Sequence, residues 1–302
     1  MKENPHSTVF HPTSGSLIRL QAHLADPVTW MGPAWAALCG VAASGSFGWR
    51  GDDWLRLALL ILLVDGGWGT LWTALGASDW ATPLRRWRDW RSGEPVSTPP
   101  YTLPGSPGDR ASRWLGQLRA WRRDVLWPAC GPALSAICVA LPVTAALAAL
   151  LGPEPVLLSL AALAVMQLGL AWEGGRGTVA PGWNSVIGVM LPWLAGHVAF
   201  GASRGITLLG SAGLALAFAL AWGAARRADS SWQRALGIGA QCTAAMLLVA
   251  LRHPLAAGCL LLLLAPQLAL FPWLRRGQPA SWYVRHTQPW LMAAMLIAAW
   301  AL

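Results

Sequence analysis

Charge is what this chain has least of. Only 12% of its 302 residues are Asp, Glu, Lys or Arg, where a soluble domain carries about 25%. A surface so poor in charge cannot be solvated by water alone, which excludes an ordinary soluble enzyme or binding domain. Lysine is nearly absent: Lys2 is the sole example. Cysteines are few and scattered, at 39, 130, 138, 242 and 259, and no C-x-x-C occurs. That excludes a cysteine metal site and a disulfide framework. The first 16 residues are polar and lack an apolar core, so no cleaved leader is expected and the first span itself directs insertion. The long apolar runs do not alternate every second residue, which excludes barrel strands. The formal charge of +9 sits in short connections between those runs and is not a nucleic-acid signal.

What the chain does have is hydrocarbon, at 55% of residues. Apolar stretches long enough for about 30 Å of lipid recur along it. Backbone groups in lipid must be bonded internally, so these stretches are helices. The fold class expected is all-α integral membrane, with nine spans near 27–47, 54–78, 125–150, 155–173, 182–203, 205–225, 235–252, 254–274 and 286–302. Residues 1–26 form a polar arm, and 27–302 form one transmembrane domain. With the amino terminus in the cytoplasm, Lys2, Arg19, nine Arg between Arg85 and Arg123, Arg176, Arg226, Arg227, Arg234, Arg275, Arg276 and Arg285 fall inside. Arg50, Arg56, Arg204 and Arg252 fall outside. This asymmetry, 18 against 4 of the 22 Lys and Arg, sets the orientation in an inner membrane and puts the carboxyl terminus on the opposite side. The longest connection, 79–124, sets Trp80, Trp87, Trp90, Trp114 and Trp121 among arginines. Its parts 84–91 and 110–123 suit interfacial helices, and Pro95 to Pro107 suits irregular chain. It reads either as a solvated, lipid-touching loop or as a docking surface for another protein.

Several motifs occur in order. The first span opens Asp26-Pro27-Val28-Thr29-Trp30-Met31-Gly32-Pro33-Ala34-Trp35, followed by Cys39-Gly40 and Ser44-Gly45. Later come Gly182-Trp183-Asn184, Leu191-Pro192-Trp193-Leu194-Ala195-Gly196 and Phe200-Gly201. Then come Arg234-Ala235-Leu236-Gly237, Pro266-Gln267, Tyr283 and Gln288-Pro289-Trp290-Leu291. The set resembles chlorophyll and bacteriochlorophyll synthases, where "KPVTW-x-x-P-x-W", "NGW", "LPWWAG", "DRALG", "PQ" and "QPFL" stand in the same order. The resemblance implies the nine-helix bundle of the UbiA-type prenyltransferases, with a cytoplasm-facing cavity open sideways to lipid.

Members of that family transfer a prenyl group from its diphosphate to an acceptor, here a tetrapyrrole carboxylate. They hold Mg²⁺ with two aspartate clusters, because that ion demands oxygen ligands in octahedral geometry. In this chain the first cluster, N-D-x-x-D-x-x-x-D, aligns with Leu75 to Pro83 and only Asp79 survives. The second aligns with Arg226 to Gln233. There Arg226, Ser231 and Gln233 replace acids, and Asp229 stands at the family's serine position. Asp79 and Asp229 therefore read as vestigial catalytic positions, with Glu173, Asp89 and Asp124 as further acids that a rewired metal site would have to recruit. Arg226, Arg227 and Arg234 read either as positive-inside anchors or as a site for a phosphate or lipid headgroup.

Asp65 lies mid-span, followed by Gly66, Gly67 and Gly69. An intramembrane acid is a functional candidate, or here the stabiliser of a bent, closely packed helix. His197 reads as a ligand to a chlorophyll magnesium or as a hydrogen-bond partner of a neighbouring helix. His23 and His286 fall at the cytoplasmic boundary. Trp68 and Trp72, one turn apart, either pack the core or line a cavity for a flat ring or polyene tail. The function expected is a non-catalytic, chlorophyll-synthase-like subunit of a photosynthetic pigment–protein complex that holds bacteriochlorophyll, quinone or isoprenoid lipid. The alternative is an active synthase with an atypical metal site, and then with Mg²⁺. A transporter reading lacks inverted repeats or paired broken helices.

Overall fold

The computed structural model describes residues 32–76, 80, 83, 87, 90, 103, 105–172, 181–201, 205–228, 230–275 and 278–302. Among these residues helix is the only regular structure and no strand forms. A helix occupies each of the nine expected stretches: α1 Pro33–Ala43, α2 Gly51–Gly76, α3 Pro107–Leu151, α4 Pro153–Trp172, α5 at 181–200, α6 Gly205–Ala225, α7 Ser231–Ala250, α8 Pro254–Leu274 with a break at Leu270, and α9 Ala280–Trp300. Five of them, α2, α3, α4, α6 and α8, are long and apolar enough to cross a membrane. The chain is therefore an all-helical, multi-pass membrane protein in its architecture.

Helix starts follow from local chemistry. Proline stands in the first turn of α1 and α8, where its missing N–H costs nothing. α2 begins earlier than hydropathy suggests because Asp53 Oδ2 accepts from the Gly48 and Arg50 N–H groups at 3.0 and 3.2 Å, so two orphan donors are satisfied.

Within the connection expected at 79–124, the helix expected at 110–123 is present; what differs is that it is fused to the following span. Residues Pro107–Trp121 are α-helix and join the apolar Trp127–Leu151 through a π turn at Arg122–Leu126. The result is one continuous helix of 45 residues. Ser106 caps it by accepting from Asp109 N–H at 3.2 Å, Pro107 occupies the first turn, and Asp109 pairs with Arg113 one turn on at 2.8 Å. The cap and the i,i+4 pair start the helix three residues before the expected 110.

The helices follow one another around the bundle: each packs against its successor, and α9 returns to α1. The tightest seam is α1 on α5. At the crossing Gly40 and Gly196 face each other's helix. A methyl on Gly40 would stand on the Trp193 carbonyl, and one on Gly196 on the Ala37 carbonyl. This is backbone-to-backbone contact, the arrangement by which small residues join helices in lipid. Two apolar cores meet at the seam. One joins α1 and α5 to α6–α9 around Trp193, Phe218 and Met295. The other joins them to α2–α4 around Leu60, Trp68 and Met166. α3, α4 and α8 turn most of their apolar surface outward, as at Leu157, Leu168, Leu255 and Leu262. Lipid is the solvent that suits such faces.

Candidate functional site

Polar chemistry inside the bundle concentrates at the end where α6 turns into α7. Gln241 of α7 and Gln267 of α8 exchange both amide hydrogen bonds, at 2.9 and 3.0 Å. Gln267 also donates to the Leu263 carbonyl, and its own carbonyl accepts from the Tyr283 hydroxyl at 3.5 Å. Tyr283 stacks on Phe271. Arg234, in the first turn of α7, donates to the Ala228 carbonyl at 2.8 Å and closes the turn between the helices. These groups and the small residues Ala221, Ala224 and Gly237 line a narrow cleft of about 20 Å³, enough for a single water.

The described lining holds amides, a phenol and a guanidinium, and no carboxylate. Such a set suits water, a carbonyl oxygen or an anion. Mg²⁺ requires several oxygen acceptors, and the Gln241 and Gln267 amide oxygens each already accept from the other's amide N–H. Among the described residues no three His, Cys, Asp or Glu side chains converge. No catalytic step is therefore drawn through a metal at this cleft.

Of the three arginines singled out in the sequence, only Arg234 enters the cleft. Arg226 is exposed and lies over the Trp222 ring at 5.8 Å. Arg227 is half-buried, its Nε has no hydrogen-bond partner, and its guanidinium abuts Gly182 at the start of α5. Asp79, Asp229, Asp89, Glu173 and His23 lie outside the described residues. Asp124 is placed far from this chemistry, in the π turn of α3. There it pairs with Arg123 at 2.6 Å, whose guanidinium holds its carboxyl below the usual range.

The other candidates separate. Asp65 is buried, 3% exposed, within a π turn at Leu62–Trp68, and it makes at least one polar or electrostatic contact. The π turn accommodates close approach of α3, for Gly67 packs against the Thr144 hydroxyl. Trp68 donates to the Ser159 hydroxyl at 3.2 Å and Trp72 to Asn184 Oδ1 at 2.8 Å. Both indoles thus tie α2 to its neighbours, and Trp68 sits in the core. His197 is 2% exposed, enclosed in the α1–α5 seam. Its ring lies near the Ala43 carbonyl without a bond of good geometry. A tetrapyrrole reaches it only if that seam opens. His286 is exposed, and its Nδ1 donates to the Trp282 carbonyl at 2.8 Å.

Sequence reasoning missed the Gln241–Gln267 pair. The signal was present, because each is a polar side chain inside an apolar run, and such residues mark helix contacts or sites in lipid. Comparison with protein-family models, characterised proteins and solved structures returned no significant match.

Proposed function

We propose that the protein is a non-catalytic relative of the chlorophyll-synthase branch of the UbiA-type prenyltransferases, a binding or assembly subunit of a photosynthetic membrane complex. One observation carries this reading. The α6–α7 end, where the resemblance puts the second metal cluster, presents Arg226, Arg227, Gln233 and Arg234, and the cleft beside them is lined by donors and mutually bonded amides. Transfer from a prenyl diphosphate needs its charge neutralised by metal held on carboxylates, and in the alignment that the resemblance gives, Arg226, Ser231 and Gln233 stand where those carboxylates belong. Nine helices that follow one another around a closed bundle support the scaffold. In this reading all nine cross the inner membrane, with the amino terminus and the 79–124 segment in the cytoplasm and the carboxyl terminus opposite. The ligand is a pigment, quinone or isoprenoid tail held in or beside the bundle.

Native purification in mild detergent tests the reading, with mass spectrometry of the chains and cofactors that accompany the protein. The expected result is stoichiometric photosynthetic proteins with pigment or quinone. A lone, pigment-free monomer under the mildest extraction overturns it. The competing reading, an active synthase, predicts Mg²⁺-dependent prenylation of a chlorophyllide that is lost in Asp79→Ala. The expected turnover is negligible.

A further inference from the structure

The outward face of α9 carries one histidine at the head of an apolar stripe. His286, Pro289, Trp290, Ala293, Leu296 and Trp300 succeed one another at i+3 and i+4 spacing, which places them on one face of the helix. All but the half-buried Ala293 are exposed. The stripe runs about 21 Å from His286 to Trp300 at ~1.5 Å per residue. It carries no charge, and where α9 crosses the membrane it lies against lipid. His286 stands near the end of α9 that follows α8.

The imidazole is fixed from two directions. Its Nδ1 lies 2.8 Å from the Trp282 carbonyl oxygen. A carbonyl can only accept, so Nδ1 carries the hydrogen, and in the neutral ring Nε2 keeps its lone pair. The Trp282 indole lies against the imidazole, with centroids 4.3 Å and planes 32° apart. Trp273 of α8 backs that indole in turn, at 6.4 Å. Among the described residues Nε2 has no hydrogen-bond partner. A histidine that serves only to be solvated needs no such restraint. A ring whose Nδ1–H is held by a carbonyl while Nε2 points free is the form in which histidine ligates a metal, and a locked orientation makes the ligand preorganised.

That metal is not a bare ion. A zinc-type ion takes roughly three or four protein ligands, and among the described residues no three His, Cys, Asp or Glu side chains converge. A metallotetrapyrrole brings its own ring nitrogens and leaves an axial position, which a single imidazole completes. Its flat ring and hydrocarbon tail are apolar, and the α9 stripe offers them an apolar bed. The bundle interior suits them poorly: the polar cleft holds a single water, and His197 is enclosed in its seam. We infer that His286 Nε2 is the axial ligand of a magnesium tetrapyrrole seated on the outward face of α9, with its tail along Trp290, Leu296 and Trp300. The inference rests on the pigment reading above and on α9 crossing the membrane, and it fixes the pigment's place beside the bundle.

The test titrates the full-length protein, in lipid nanodiscs, with bacteriochlorophyll a and with bacteriopheophytin a, the same molecule with protons in place of magnesium. Binding is read from near-infrared absorption. Wild type is expected to bind the magnesium form at least about tenfold more tightly than the metal-free form. In His286→Phe the two pigments bind alike, while the metal-free form keeps its wild-type affinity. His253→Phe, at the opposite end of α8, retains the preference. In protein carrying isotopically labelled histidine, one Nε2 resonance shifts with the magnesium form alone, and it is the resonance that His286→Phe lacks. Equal binding of the two pigments by wild type, a preference that survives in His286→Phe, a shift at another histidine, or no binding of either pigment overturns the inference. Magnesium-selective binding by a protein that purifies as a lone chain keeps this inference and removes the assembly role. Photosynthetic proteins that copurify with a wild type showing no magnesium preference do the reverse.

Discussion

Gln241 and Gln267 are tied so completely to each other that neither tolerates the loss of its partner. Gln241→Leu leaves the buried Gln267 amide oxygen without its donor and one N–H without its acceptor, while Nε2 still reaches the Leu263 carbonyl, and the loss costs about 1–3 kcal/mol. The expected result is a lower unfolding midpoint in detergent, partly restored in the double variant Gln241→Leu, Gln267→Leu. A double variant as poor as the sum of the singles would show that the pair is not the unit. Asp109 supports a second expectation at this scale. The Gly105 N–H, and then Arg113, hold its carboxyl below the ordinary value of 3.8. A depressed carboxyl contributes stability that is complete above the unfolded pKa and lost as pH falls through the folded one. Amide exchange across 105–121 should therefore accelerate as pH drops below about 4, after correction for intrinsic rates. In Asp109→Asn it should be fast at neutral pH and lose that added pH dependence. Neither pairing was fully legible beforehand, and for different reasons. Asp109 and Arg113 lie one turn apart and can be read from spacing, whereas Gln241 and Gln267 belong to different helices and only packing brings them together.

Among the elements, α1 and α5 depend on glycine at their crossing in a way no side-chain rotation can relieve. The atoms that a methyl would meet at Gly40 and Gly196 are backbone carbonyls. Overpacking of this kind costs about 1–3 kcal/mol or more. Gly40→Ala and Gly196→Ala are each expected to reduce the folded yield and the melting midpoint sharply. Gly258→Ala, whose added methyl meets nothing within 4 Å, serves as the control and should match wild type. Equal behaviour of all three would dissolve the seam. The positions of the helices were largely readable because hydrocarbon thickness imposes a length on each apolar run. Which helices touch was not, since a nearly uncharged helix shows no preferred face. α3 was legible in part: a helix at 110–123 could be read from the sequence, whereas its start at Pro107, set by the Ser106 cap and the Asp109–Arg113 pair, and its fusion to the span could not.

At the scale of the whole molecule, topology reporters after Asp109 and after Glu154 are expected on opposite sides of the membrane, since the apolar part of α3 lies between them. Finding both on one side would refute the arrangement. The site was the least legible part. The resemblance alone assigns Arg226 and Gln233 to acid positions, and Asp79 and Asp229 fall outside the described residues. The cleft takes Arg234, Gly237, Gln267 and Tyr283 from motifs read in the sequence, but Gln241, which closes the amide pair, belongs to none of them. One feature of the bundle also constrains its birth. Gly40 and Gly196 are 156 positions apart (196 − 40), and at ~5–20 residues per second the ribosome needs about 8–30 s to travel between them. α1, only 11 residues long, thus leaves the ribosome well before the helix it fits exists. Until then it is an orphan held by the insertion machinery or by α2, and the first half of the protein finishes folding only when α5 arrives.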